Sequence, residues 1–122
     1  MREILFKAKR VGDCKWVQGQ YVNYWHPNIR NATGHFIVEY PGTLHEIYTN
    51  TLCQYTGLTD KNGAKIFEGD KLSDKYGDTG VVKFGWSYGA CGFFCEGVVD
   101  DITDNDLLVI GNIYDKEADH ED

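Results

Sequence analysis

Apolar residues recur at every second position over short stretches of this chain, and glycine-led turns separate those stretches. Near the start, for example, Ile4, Phe6 and Ala8 occupy alternate positions. This period is typical of a strand that buries one face, whereas an amphipathic helix repeats every 3.6 residues. No segment of ten or more residues keeps the helical period. The sequence therefore predicts an all-β fold, mostly antiparallel, with little helix.

Segments rich in aromatic and β-branched residues predict the remaining strands, because such side chains favour extended backbone. Those segments are 16–25, 36–40, 46–48, 52–55, 66–67, 79–84, 93–99 and 107–114. The first of them is expected to pair with 4–9 as an N-terminal hairpin. Because no connection is long enough for a parallel crossover, we expect antiparallel meanders that form a small barrel or a strongly bent sheet.

The 122 residues suffice for one domain with one hydrophobic core. We predict a single β domain over 1–114, with an N-terminal hairpin extension at 1–40 and the barrel core at 52–114. Residues 115–122 contain five acidic side chains and one apolar residue, so self-repulsion should leave them as a flexible acidic tail. We interpret this tail as a solubilising end; docking on a basic partner or imitation of nucleic acid is the alternative.

The formal net charge of −7 bears on the choice of partners. Binding to phosphate backbones draws its affinity from lysine and arginine, so nucleic acid is not favoured. The longest aliphatic run, 107–110, is too short to cross a bilayer. Charged residues interrupt the first ten positions, where a secretory signal needs an apolar run. We therefore expect a cytoplasmic protein without a membrane partner.

Three segments of the chain form a recognisable set: Ile4–Lys9, the block QYTGLTDKNGAKIFEGD at Gln54–Asp70 and the block VIGNIYD at Val109–Asp115. Together, and in this order, they resemble the YopX family of phage and prophage proteins. The resemblance implies a small protein with a Src-homology-3-like barrel, located in the cytoplasm of the phage host, and it implies no catalytic residues. The motif positions are Tyr55, Thr56, Gly57, Leu58, Asn62, Gly63, Glu68, Gly69, Asp70, Gly111 and Asn112. Family members often continue past the last block with proline and apolar residues, whereas this chain continues Lys116-Glu117-Ala118.

The central block contains residue types that form tight turns. Gly57 is expected at positive φ, and Asn62 with Gly63 is expected to form a turn, since glycine adopts such conformations without steric cost. A second turn is predicted around Gly69, after which Asp70 can accept backbone N–H groups. The predicted apolar anchors of the barrel are Tyr55, Leu58, Ile66 and Phe67.

Three acidic residues of the same block, Asp60, Glu68 and Asp70, offer an alternative interpretation as a Mg²⁺ or Ca²⁺ site. Their spacing matches no EF-hand loop. Acidic residues next to glycine in hairpins commonly form turns instead. We therefore predict no metal and no cofactor at these positions.

The triplet Asp78-Thr79-Gly80 has the sequence of an aspartic-protease motif, and Val109-Ile110-Gly111 resembles its apolar partner. In such enzymes two aspartates share one proton. Here, however, Asp78 follows the turn-forming residues 75–77 rather than an apolar strand. Because three-residue motifs recur by accident, we predict that Asp78 is not catalytic.

The four cysteines are Cys14, Cys53, Cys91 and Cys95, and only the last two are close in sequence. A structural zinc site prefers two close pairs, and nothing in the sequence groups His26, His35 or His45 with them. Cytoplasmic thiols stay reduced. We therefore expect free thiols that pack in or near the core.

The segment Gly85–Gly92 combines glycine with Trp86 and Tyr88. It lacks the lysine and the following helix of a phosphate-binding loop. We predict a mobile hairpin loop whose two aromatic side chains bind a partner by stacking or burial. The alternative is that both side chains fold back on the rim of the barrel.

A second binding candidate is the edge of the N-terminal hairpin, around Ile4–Lys9 and Trp16–Trp25, which would pair with a second copy of the chain. The basic residues near the start are interpreted as the exposed face of this edge strand, where lysine discourages unwanted pairing.

Two classes of function follow from these observations. The first is a non-enzymatic accessory protein, encoded by a phage or prophage, that binds another protein or itself. The second is a small-barrel protein associated with single-stranded DNA or RNA, which would use Trp86, Tyr88 and the N-terminal basic residues. The net charge favours the first class. No nucleophile–base pair or metal-ligand spacing is present in the sequence, so we predict no enzyme activity.

Overall fold

The computed structural model describes residues 4–23, 34–87, 90–97 and 106–115. Over these ranges the chain forms ten β-strands and one 3-10 helix of three residues. All of these strands pair in antiparallel fashion, which confirms the predicted all-β fold with little helix. In the described part of the chain, no helix is long and apolar enough to cross a membrane.

The chain divides into two compact units, Met1–Gln54 and Tyr55–Asp122. The first contains β1 (Phe6–Lys9), β2 (Trp16–Asn23), β3 (His35–Glu39), β4 (Thr43–Glu46), the 3-10 helix η1 (Thr49–Thr51) and the start of β5 (Cys53–Thr59). The second contains the rest of β5 with β6 (Lys65–Phe67), β7 (Asp70–Ser73), β8 (Thr79–Ser87), β9 (Ala90–Glu96) and β10 (Leu108–Asn112). Each unit has a hydrophobic core of its own. The division of one domain into 1–40 and 52–114 stays a prediction, and 116–122 lies outside the described residues.

In the first unit, the strands pair in the order β4-β3-β2-β1, and the start of β5 adds to β1. Ala8, Ile37 and Ile47 are fully buried at the centre of the core. Ala8 lies opposite Val17, and Ile37 lies opposite Tyr21. Both partners pack against the core, because side chains directly opposite each other in a sheet point to the same face.

The N-terminal hairpin is not at an edge of the sheet. β1 pairs with β2 and β5, and β2 pairs with β1 and β3. The predicted pairing of this hairpin edge with a second copy is therefore wrong, because both strands already have neighbours on each side. The predicted exposed lysine face is wrong as well, since Lys9 is 4% exposed. The Nζ atoms of Lys7 and Lys9 lie 4.6 and 5.2 Å from the ring centre of Trp16.

In the second unit, a four-stranded sheet has the order β10-β7-β8-β9, and β6 pairs with β5. Ile66, Leu72, Val82 and Leu107 are fully buried and form its core. Of the four predicted apolar anchors, three are buried and Leu58 is half-buried against this core. Over the described ranges the two outer strands, β9 and β10, do not pair with each other, so no closed barrel is found there.

The glycines of the central block have the predicted backbone geometry. Gly57, Gly63 and Gly69 have φ values of 92°, 85° and 88°. Such values place them in the left-handed region that favours glycine. Gly57 lies within β5, whereas Gly63 and Gly69 lie in turns, which were predictable because their requirement is local to two or three residues.

We predict that Gly63→Ala lowers the free energy of unfolding by about 1 kcal/mol, because alanine is strained at positive φ. A Cβ atom at this position meets no atom within 4 Å, so the loss reports backbone strain alone. The control is Gly42→Ala, where a Cβ also meets nothing within 4 Å and φ is not positive. Urea unfolding of the two variants checks the prediction, and equal midpoints would contradict it.

Candidate functional site

Asp60 organises the turn between β5 and β6. Its Oδ1 atom accepts the backbone N–H groups of Asn62 and Ala64, each at 2.9 Å. The N–H of Gly63 donates to the Asp60 carbonyl at 3.0 Å. Aspartate commonly closes turns by accepting backbone N–H groups in this way. Asp60 therefore serves as a turn former, as the sequence favoured.

The same arrangement recurs in the turn between β7 and β8. The Oδ1 atom of Asp74 accepts the N–H groups of Tyr76 and Asp78 at 2.9 Å, and the N–H of Gly77 donates to the Asp74 carbonyl at 3.2 Å. Both turns have the sequence Asp-Lys-X-Gly, a signal that sequence reasoning missed. Asp78 is exposed and closes a turn, which fits the turn composition recognised before it.

The second carboxylate oxygen of Asp60 reaches strand β10. Its Oδ2 atom accepts the N–H of Val109 at 2.9 Å, and the N–H of Lys61 donates to the carbonyl of Leu107 at 3.0 Å. Burial raises the pKa of the Asp60 carboxyl, but hydrogen bonds from backbone N–H groups, those of Val109, Ala64 and Asn62 among them, outweigh burial and keep that pKa below its usual value. The ionised carboxylate is thus the form that holds β10 to the turn.

Asp70 makes a second connection to β10. It is 1% exposed, and its Oδ2 atom accepts the N–H of Phe67 at 2.8 Å. The Nδ2 group of Asn112 donates to Asp70 Oδ1 at 2.8 Å, and Asn112 Oδ1 accepts the N–H of Tyr114 at 2.9 Å. The N–H of Ile113 also donates to the carbonyl of Gly69 at 2.9 Å. The two motif blocks of the sequence are therefore bound to each other.

These contacts bear on the metal interpretation of Asp60, Glu68 and Asp70. Both aspartate carboxylates already accept hydrogen bonds from the protein on each oxygen. Glu68 lies in the turn before β7 and is half-buried. Within 4–23, 34–87, 90–97 and 106–115, no group of three or more His, Cys, Asp or Glu residues could hold a metal ion.

A polar network in the first unit was not found from the sequence. Arg10 donates through Nε to Asp13 Oδ1 at 3.1 Å and forms an ion pair with the other carboxylate oxygen. The NH1 group of Arg10 lies 3.2 Å from Nδ1 of His45, and His45 Nε2 lies 2.9 Å from Glu39 Oε1. Because arginine can only donate, His45 accepts at Nδ1 and donates at Nε2. Both imidazole nitrogens of His45 therefore take part in hydrogen bonds within this network.

The ion pair at the start of this network perturbs both of its members. The hydrogen bond from Arg10 holds the pKa of the Asp13 carboxyl well below its usual range, and Asp13 raises the pKa of Arg10. Strand alternation could have placed Glu39 and His45 together, because Ile37 and Glu39 lie on one face of β3 and pair with His45 and Thr43 of β4. His35 is on the same face, and its Nδ1 atom lies 2.6 Å from the hydroxyl oxygen of Tyr21.

The described cysteines are free thiols. Cys53 is buried, and its Sγ donates to the carbonyl of Thr51 at 3.2 Å. Burial, with a further contribution from the charge of Asp74, raises the pKa of the Cys95 thiol to about 11. Cys14 is half-buried at a φ of 58° in the turn between β1 and β2. The side chain of Cys91 lies outside the described residues.

Strands β8 and β9 form a hairpin arm that extends past β7. Residues 79–81 of β8 pair with β7, whereas 81–87 pair with β9. The predicted loop at Gly85–Gly92 is therefore wrong, because all but two of its positions are in paired strands. Trp86 lies in β8 opposite Cys91, with its side chain outside the described residues. Tyr88 lies wholly outside them.

The described aromatic pair of the arm is Phe84 and Phe93, which lie directly opposite each other. Their ring centres are 4.9 Å apart with an interplanar angle of 72°, an edge-to-face contact. Phe93 packs against the core, whereas Phe84 is 55% exposed. On the strands beside them, Lys83 Nζ and Glu96 Oε1 form an ion pair at 2.5 Å. The arm thus presents a rigidly supported aromatic ring on its surface.

Comparisons with known proteins agree with this fold. The chain matches the family model described as YopX protein over residues 6–117, which include all ten strands. It is similar to the solved structure of protein EF1440 from Enterococcus faecalis, with 25% sequence identity and a TM-score of 0.52 over 96% of this chain and 97% of that chain. A search of curated proteins finds no match. The predicted YopX resemblance is confirmed.

We predict that Asp60→Asn destabilises the protein by about 1–3 kcal/mol at pH 7, because the amide group cannot accept every N–H that the carboxylate accepts. The pKa of Asp60 is lowered by folding, so its stabilisation is complete above the ordinary carboxyl pKa of about 4 and is lost as the pH falls. The difference between wild type and variant should therefore shrink below about pH 4.

Urea unfolding between pH 3 and pH 7 measures this difference. The matched control is Asp78→Asn, since Asp78 is exposed and contributes to its turn through its backbone. We expect the control to stay within about 0.5 kcal/mol of wild type. A loss for Asp60→Asn that does not vary with pH would contradict the assigned role of the ionised carboxylate.

Proposed function

The chain belongs to the YopX protein family, and from that premise we propose that it is a non-enzymatic phage or prophage accessory protein that binds another protein through the arm formed by β8 and β9. The proposed location is the cytoplasm of the host. The observation that carries the proposal is the exposed Phe84 ring, which is held in place by Phe93 at 4.9 Å.

Support for a protein-binding role comes from the construction of the arm. An isolated two-stranded hairpin is only marginally stable in water, yet β8 and β9 pair over seven consecutive positions. The Phe84–Phe93 contact and the Lys83–Glu96 ion pair stabilise this extension. An aromatic ring that is already immobilised loses little entropy on binding, and aromatic anchors supply much of the energy of protein interfaces.

The charges of the first unit support protein over nucleic acid as the partner. Lys7 and Lys9 place their Nζ atoms over the ring of Trp16, and Lys9 is buried. Lysines held in this way are poorly placed to neutralise phosphates, and the chain as a whole carries a net charge of −7.

The Src-homology-3-like barrel that the family resemblance implies is part of this proposal for the second unit. Support comes from β5 and β6, whose buried Ile66 shares one core with Leu72 and Val82 of the four-stranded sheet.

The test compares proteins captured from a bacterial host lysate by immobilised wild type and by Phe84→Ala. We expect at least one protein to be retained by wild type and reduced about tenfold or more for the variant, because losing an anchor costs over about 1.4 kcal/mol. Phe84→Ala should lower unfolding stability by about 0.5–1.5 kcal/mol through its lost ring contact. Circular dichroism confirms that the variant stays folded.

The matched control is Tyr40→Ala, which removes a 94% exposed aromatic side chain from the first unit. Capture should be unchanged for this control. Equal capture by wild type and Phe84→Ala would contradict the proposal. So would tight, salt-sensitive binding to single-stranded DNA that is independent of Phe84, because it would assign the protein to nucleic acid.

A further inference from the structure

The outer edge of β9 points to a specific partner. We infer that two copies of this chain associate by antiparallel pairing of β9 with β9, centred on Phe93. The inference rests on the proposed function, since it identifies a partner for the same arm. The resulting dimer has a two-fold axis through the paired edges and joins two four-stranded sheets into one.

The two edges of the four-stranded sheet differ in regularity. β10 contains a register shift between Val109 and Gly111, and such bulges make an edge a poor template for further pairing. β9 pairs with β8 from Ala90 to Glu96 without interruption. Its second side has no strand partner in the described ranges. The β9 sequence ACGFFCE also lacks the lysine and proline that commonly protect an edge.

The backbone of β9 presents hydrogen-bonding groups along this edge. The carbonyl of Val82 accepts the N–H of Gly69 at 2.8 Å, so it points away from β9. Val82 lies opposite Cys95, and the two residues of such a pair both direct their backbone groups outward. Since the direction alternates along a strand, Phe93 and Cys91 direct their groups outward with Cys95.

This alternation limits the dimer to registers in which Cys91, Phe93 and Cys95 lie opposite residues of the same set. Of these registers, the one centred on Phe93, the middle of Ala90–Glu96, pairs all seven positions of β9. Pairing centred on Phe93 places Phe93 opposite Phe93 of the second copy, and Cys91 opposite Cys95. Every one of these positions has outward backbone groups, so the donors and acceptors of the two edges match. A register shifted by one residue would place outward groups opposite inward ones.

The same register brings aromatic side chains of the two copies together. Opposite residues point to the same face of a sheet, so the two Phe93 rings are neighbours across the axis. The Phe84–Phe93 contact of each copy then becomes a row of four rings. Aromatic pairs across strands stabilise a sheet.

Charge is compatible with a second copy at this edge. Glu96 is the only charged residue of β9 and lies at its end. Antiparallel pairing puts the two Glu96 residues at opposite ends, about 20 Å apart at 3.4 Å per residue. Each chain carries a net charge of −7, so long-range repulsion weakens the dimer at low salt. Association should therefore strengthen between 0.05 and 0.5 M NaCl, unlike binding to a basic partner.

The first test measures oligomeric state by sedimentation velocity at chain concentrations of 1–200 µM, followed by mild oxidation with copper phenanthroline. The expected result is a dimer that acquires a disulfide between Cys91 of one copy and Cys95 of the other, identified by mass spectrometry. Within one strand these residues are four positions apart, about 13 Å, which is too far for a disulfide. Cys91→Ser should abolish this link, and Cys53→Ser should not.

The second test places charge on the edge. A Cβ atom added at Gly92 meets no atom within 4 Å. A Cβ atom added at Gly85, which lies opposite Gly92, meets one atom at 3.8 Å. In the dimer, two Gly92→Lys side chains lie diagonally about 7–8 Å apart, so we expect self-association about tenfold weaker than in Gly85→Lys, which has the same net charge. Mixing Gly92→Lys with Gly92→Glu should restore a dimer, because opposite charges then face each other.

A monomer at every concentration would overturn the inference, and so would a dimer that forms no link between Cys91 and Cys95. Equal association of Gly92→Lys and Gly85→Lys would also overturn it. These outcomes are separate from failure of the proposed function. A monomeric chain that still captures a host protein through Phe84 refutes the dimer and leaves the accessory role standing.

Discussion

The second unit depends on a carboxylate that folding removes almost completely from water. Asp70 is 1% exposed, and a polar group in such a place is costly unless hydrogen bonds replace its hydration. The N–H of Phe67 and the amide of Asn112 supply those bonds. Asp70 and Asn112 are 42 residues apart in the sequence. The carboxylate therefore commits β10 to its place beside β7.

The turn just before Asp70 also determines where the arm begins. Gly69 has a φ of 88° and donates its N–H to the carbonyl of Val82. The chain turns there, so the strand that accompanies β8 begins at Asp70 and pairs with β8 only up to Val81. Beyond that point β8 continues with β9 alone. One buried carboxylate and one glycine turn thus generate both the ordered sheet and the extension that carries Phe84.

The first unit uses polar side chains differently. Its network from Asp13 through Arg10 and His45 to Glu39 links the turn after β1 to the hairpin of β3 and β4. The arginine can only donate and the carboxylates accept, so the protonation pattern of His45 follows from its neighbours. A histidine hydrogen-bonded to a carboxylate also occurs in general-base sites. Here both ring nitrogens of His45 bond to Arg10 and Glu39 and so help to hold the strands together.

Features whose causes are local could be predicted from the amino-acid sequence. The alternation around Ala8 predicted a buried strand face, and the glycines predicted a positive φ at 57 and turns at 63 and 69, because both depend on a few consecutive residues. Which strands are neighbours depended on contacts between distant parts of the chain. Strand β1 has a partner on each side, and Lys9 is buried. Strands β8 and β9 continue through the segment that was predicted to be a loop. Glycine predicts a turn only when no partner strand is available, and that partner is chosen by contacts distant in sequence.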